Sequence, residues 1–212
     1  MFNRFLIILL VAAFASSATA TTILFSSSIG GRFAADASLT PLPDGDVFLV
    51  GTFSNVGGLT LAGTTAAVLA SGGWTQFDGS QVTSTLGGNS GKLTGQAQDN
   101  TASAMPFNQQ PLYVVIFNNT NAANASQMGI FRAPTVSIGD AWVFPTNAGG
   151  GTDQISISMN ETSMAAVGGI GSTTASPQRF VLTSLVPEPT AFVLIVSGML
   201  GLLGYRRFRR LG

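Results

Sequence analysis

The chain has 212 residues, of which 8% are charged against ~25% in an average soluble domain, and its formal net charge is zero. It contains no Cys and no His. That excludes disulfide frameworks, thiolate nucleophiles, Ser-His-Asp triads and Cys- or His-ligated metal centres.

The zero is an average over unlike parts. Residues 21–186 carry eight acidic groups and four basic ones with no basic stripe, which argues against a nucleic-acid partner. Both ends are apolar runs beside arginines. At the N-terminus Arg4 precedes an unbroken apolar run from Phe5 to Ala15, followed by Ser16-Ser17-Ala18-Thr19-Ala20. A single positive charge, an apolar core and a small-x-small ending are the three parts of a secretory signal peptide. The peptidase cleft admits only small side chains at the last and third-last positions, so Ala20 and Ala18 place cleavage after Ala20. The Sec machinery and signal peptidase are the partners this implies, and residues 1–20 form the first unit of the chain.

Strand signals fill residues 21–186. The first expected strand covers Thr22 to Ser27. Asp44-Gly45 is a turn pair leading into Asp46-Val47-Phe48-Leu49-Val50-Gly51-Thr52-Phe53, rich in β-branched and aromatic residues. Leu59 to Ser71 is dense in Ala and Leu and is expected to be a short helix, with Thr60, Thr64 and Thr65 as poor helix formers within it. Leu112 to Phe117 is a near-continuous apolar run bounded by Pro111 and Asn118-Asn119, the pattern of a central strand. Further strands are expected at Gly129–Arg132 and Ala141–Phe144. Gln154 to Met159 alternates strictly, which sends Ile155, Ile157 and Met159 to the core. Arg179–Leu185 closes the series. Gly57-Gly58, Gly72-Gly73, Gly87-Gly88 and Gly149-Gly150-Gly151 punctuate it, and no repeat of 20–50 residues is visible. The sum is an all-β sandwich of about eight to ten strands with one short helix, occupying residues 21–186.

The C-terminus reads Val186-Pro187-Glu188-Pro189-Thr190, then Ala191 to Gly204 without a charge, then Tyr205-Arg206-Arg207-Phe208-Arg209-Arg210. About 15 helical residues within 190–205 cover roughly 22 Å, short of a hydrocarbon core of about 30 Å, and snorkelling arginines with an interfacial Tyr205 extend their reach. Arg206, Arg207, Arg209 and Arg210 stay cytoplasmic by the positive-inside rule and leave residues 21–186 outside. Gly198, Gly201 and Gly204 give the helix a bare face, either a packing surface or the ordinary Gly tolerance of membrane helices.

This order over residues 186–210, with Pro187, Glu188 and Pro189 matching without substitution, resembles the PEP-CTERM sorting domain. The resemblance implies recognition by exosortase, an integral-membrane protease that cuts near the motif, in a Gram-negative-type bacterium that makes exopolysaccharide. The sorting domain is placed at 187–210. Two prolines fix φ and remove backbone donors, so the motif is expected to stay extended at the membrane surface and to present Glu188. More loosely, Asp44 to Phe53, Leu112 to Asn119 and Met128 to Pro145, with Trp142-Val143-Phe144-Pro145, resemble the ectodomains of some small PEP-CTERM proteins, which implies a sandwich and no known activity.

Sites for chemistry are sparse. Paired carboxylates suffice for glycoside hydrolysis, but Glu161 is the sole Glu of the middle and lies in Met159-Asn160-Glu161-Thr162, an expected strand end. Ser90-Gly91-Lys92 reads as a Gly-rich hairpin loop rather than a Ser/Lys dyad. Gly168-Gly169-Ile170-Gly171 lacks the further Gly of a dinucleotide fingerprint and the Lys of a phosphate loop. Asp44-Gly45-Asp46 and Thr152-Asp153 could offer oxygens to calcium, yet neither has the spaced acids and terminal Glu of an EF-hand loop. Asn-x-Ser/Thr at Asn118, Asn124 and Asn160 is expected by chance in such a composition. Trp74, after Gly72-Gly73, is the one candidate for stacking on a sugar ring. The expectation is therefore a non-enzymatic exported protein without a cofactor. It is held in the inner membrane before processing, then placed in the envelope or exopolysaccharide matrix. A carbohydrate-binding or adhesive module is the alternative, and a secreted hydrolase comes third.

Overall fold

A computed structural model describes residues 21–27, 32–35, 38–77, 82–83, 91, 93–99, 106–134, 142–145, 154–159, 165–175 and 178–185. The expected signal peptide and sorting domain lie outside them. Among the described residues no helix is long and apolar enough to cross a membrane, and the span expected at 190–205 is not one of them.

The described residues are mostly β, with one helix, and form three sheets. The largest is built on three strands whose sequences are apolar throughout most of their length: β3 (Val47–Phe53), β7 (Tyr113–Phe117) and β8 (Gln127–Arg132). Strand β7 runs antiparallel to both others, Val50 opposite Val114 and Val114 opposite Phe131. Beyond β8 lie β10 (Ala165–Ala166) and β13 (Thr183–Ser184); beyond β3 lie β4 (Trp74–Gln76) and β5 (Val82–Thr83).

The apolar run of the central strands has a physical reason, because both faces of this sheet are covered. Alternate side chains go to opposite faces. Phe48, Val50, Val114, Ile116 and Phe131 join one core, while Val47, Leu49, Tyr113, Val115, Phe117, Met128 and Ile130 join the other. Each large side chain withdrawn from water in this way contributes ~1.5–3 kcal/mol.

The first core is closed by the two smaller sheets. One has β1 (Thr21–Ser27) in its middle, antiparallel to β6 (Thr94–Asp99) and parallel to β9 (Gln154–Met159). Ile23, Phe25, Ile157 and Met159 point from it into the first core, and the Phe25 ring stands edge-on to Phe48 at 4.5 Å. Ile155 packs against the same core, so the alternation expected for Gln154–Met159 is present. The other small sheet orders β11 (Ser172–Ala175), β12 (Gln178–Val181) and β2 (Arg32–Ala34), and its Phe33 and Phe180 enclose Phe131 at 5.8 and 5.4 Å.

The second core is covered by the helix α1 (Thr65–Ser71), through Val68 at 0% exposure, and by Val167 and Ile170 of a tight turn. That turn holds Gly168, Gly169 and Gly171, all at positive φ, as its loop reading requires.

Three expectations need correction. The helix starts at Thr65 rather than Leu59. The Thr64 side chain accepts a hydrogen bond from Ala67 N–H at 3.3 Å and acts as its N-cap, and Gly63 at φ +87° breaks any earlier turn. Ala141–Phe144 is no strand in its described part: Val143 makes one isolated bridge to Pro111. The pairing ends where Gln110 turns its N–H to Phe107 C=O at 2.9 Å, which leaves only the Leu112–Trp142 and Phe144–Gln110 bonds, and Trp142 and Phe144 are buried. Arg179–Leu185 is two strands, β12 and β13, in different sheets. The chain turns the corner at Leu182, whose N–H bonds Ala34 C=O at 3.0 Å. With these short pieces the described residues hold thirteen strands, more than expected.

Candidate functional site

Of the residues singled out in the sequence, Ala18, Ala20, Pro187, Glu188, Pro189, Arg206, Arg207, Arg209 and Arg210 lie outside the described residues, as do Ser90, Lys92, Asp153 and Glu161. Trp74, Asp44 and Asp46 lie within them, in two separate places.

Trp74 opens β4 directly after the Gly72-Gly73 turn, opposite Phe53 in register. Its ring lies 4.7 Å from that of Phe53, which in turn meets Tyr113 edge-on at 5.2 Å. Arg132 ends the row: its guanidinium sits 5.8 Å from the centre of the Tyr113 ring, and Nη1 donates to Tyr113 Oη at 3.4 Å. The indole also lies across Gly51, where a Cβ would come within 2.8 Å of its six-membered ring and into the carbonyl of Thr75. Gly51 is thus the residue that lets Trp74 rest on the β3 backbone. The Nε1 group is buried with no hydrogen-bond partner. The half-buried ring rests on Phe53 and Gly51 with its donor turned inward, and so packs against the second core.

Asp44 and Asp46 do not form a pair. Asp44 is exposed, whereas Asp46, one step before β3, is only 4% exposed. It faces a small recess among Phe33, Leu42, Phe48, Leu93 and Ile116. Loss of hydration in these apolar surroundings raises its carboxyl from 3.8 to about 6. The sequence placed Asp46 at the start of the strand segment, just after the Asp44-Gly45 turn, and did not announce its burial. The available signal was its place at the head of the run Val47 to Val50, where the backbone is already sheet.

Among the described residues no three acidic, His or Cys side chains gather to hold a metal ion. The described arrangement offers packing and one buried carboxyl, that of Asp46. Asn118, a nominal glycan acceptor, is engaged on both sides of its amide. Its Oδ1 accepts from the N–H groups of Ser126 and Gln127 at 3.0 and 2.9 Å, and its Nδ2 donates to Ser126 Oγ and Gln127 Oε1, each at 3.0 Å.

No known protein family, curated protein or solved structure matches the chain.

Proposed function

We propose that the chain is an exported cell-surface or exopolysaccharide-matrix protein, sorted and processed through its PEP-CTERM segment, with a β-sandwich body that has no catalysis of its own. One observation carries the reading: Pro187-Glu188-Pro189, an uncharged run from Ala191 to Gly204 and four arginines stand in that order behind an N-terminal signal sequence.

The position of the body supports it. Strand β1 begins at Thr21, one residue after the expected signal-peptidase cut. The last described hydrogen bond, from Leu185 N–H to Ser126 C=O at 2.9 Å, comes two residues before Pro187. Both expected processing points thus border, in sequence, the described residues at Thr21 and Leu185. On this reading signal peptidase removes residues 1–20, the segment 190–205 holds the chain in the inner membrane, and exosortase acts at Pro187–Pro189. The body then passes to the envelope or matrix, where exopolysaccharide surrounds it.

In cells that contain an exosortase, replacing Pro187, Glu188 and Pro189 with alanines should leave the chain uncut in the membrane fraction while the parent is shortened. Equal masses for the two proteins, apart from the substitutions themselves, would overturn the sorting role.

A further inference from the structure

Strand β1 holds an unusual place for a segment so early in a chain, because it is the middle strand of its sheet. Thr21 to Ser26 pair antiparallel with Asp99 to Thr94, and Thr22 to Ser27 pair in parallel with Gln154 to Met159. Without it β6 and β9 have no common partner in that sheet, and two strand edges stand open. Its side chains are equally committed. Thr21 and Ile23 are 0% exposed and Phe25 is 2% exposed, the last held against Phe48. Removing β1 would thus leave a slot shaped for one particular strand, and every copy of the chain carries that strand.

We propose that, once residues 1–20 are removed, Thr21–Ser27 of one copy takes the place between β6 and β9 of another. The proposal rests on the export reading, since it needs Thr21 at a free end. A terminal strand enters a sheet without threading the rest of the chain through it. The exchanged form has the same ladder hydrogen bonds and the same apolar contacts as the closed monomer. The balance between them is therefore set by the tether and by protein concentration against the effective concentration of the tethered strand. By sequence that tether is Ser28-Ile29-Gly30-Gly31, four residues between the end of β1 and the start of β2. Reciprocal exchange closes a dimer, and exchange in one direction adds copies in a row, as a matrix protein requires.

The absence of cysteine makes the test clean. Thr22 lies opposite Gln98, and Gln98 Nε2 donates to Thr22 Oγ1 at 3.2 Å, so thiols introduced at these two positions are within reach of a disulfide. Full-length T22C, Q98C and the double variant are expressed with their own leader. The exported products are collected, their N-termini are sequenced, and T22C and Q98C are also co-expressed and oxidised at high concentration. The expected result is a start at Thr21, an internal disulfide between positions 22 and 98 in the double variant, and the same disulfide between two chains in the co-expressed singles. Peptide mapping should find the second link in species of twice the monomer mass or more.

An internal link in the double variant, with no such link between chains in the co-expressed singles, overturns the exchange and leaves the export reading standing. No link in the double variant removes the register and overturns the exchange as well. A product that retains residues 1–20 overturns both readings, and its N-terminal sequence tells it apart from the other two results.

Discussion

A glycine and an acid show how single residues set limits on this fold. Gly51 is the only residue type that fits beneath the Trp74 indole, because a Cβ there meets both the ring and the Thr75 carbonyl. Gly51→Ala is expected to cost ~1–3 kcal/mol in chemical denaturation, and Trp74→Ala in the same background should not restore it, since the Thr75 carbonyl remains. By the same packing, Trp74→Ala alone should lower stability by ~1–3 kcal/mol, the ring being half-buried. Undiminished stability together with loss of polysaccharide binding would instead support the adhesive reading.

Asp46 gives a prediction with a sign. Its carboxyl is raised from 3.8 to about 6 by burial, so the folded state holds the proton more tightly than the unfolded chain. The contribution favours folding most below about 3.8, declines as pH rises to about 6, and leaves the full penalty above that. Asp46→Asn should raise the melting temperature over the parent at about pH 7.5 and lose most of that gain at about pH 4. An equal gain at both values contradicts the burial argument.

At the scale of elements, the links between strands carry as much information as the strands. Asn118 clamps the end of β7 to the start of β8 with four side-chain hydrogen bonds, two of them to backbone N–H groups. Asn118→Ala strands those groups and should cost ~1–3 kcal/mol, whereas Thr64→Ala, which removes the cap of α1, should cost ~1 kcal/mol. Equilibrium denaturation of both variants checks the order.

What the sequence made legible follows from the same physics. The strands at Val47–Phe53, Tyr113–Phe117 and Gln154–Met159 were readable because their apolar pattern reports burial directly: continuous where both faces are covered, alternating where one is. Where the local signal is the same for two structures, the sequence does not choose. Trp142 and Phe144 are apolar and buried, yet Gln110, which accepts from Phe144, gives its own N–H to Phe107 and so ends the pairing. Arg179–Leu185 reads as one extended run, and only the tertiary bond from Leu182 to Ala34 divides it between sheets. The parallel pairing of β1 with β9 joins residues with no local relation, so no pattern announced it. The buried carboxyl of Asp46 was hidden by a turn signal that is itself real.

At the scale of the molecule, the described residues lie in the stretch between two expected cuts and form three sheets packed on two cores. The strand that begins at the first expected cut is also central to a sheet, so on the proposed reading maturation and folding would meet at Thr21. The account stands or falls on the ends of the mature protein. Intact mass and N-terminal sequence of the product recovered from the envelope and medium of the producing cells measure them together. The account predicts a chain that begins at Thr21 and ends near Pro187–Pro189. A membrane-bound product that runs through to Gly212 contradicts it.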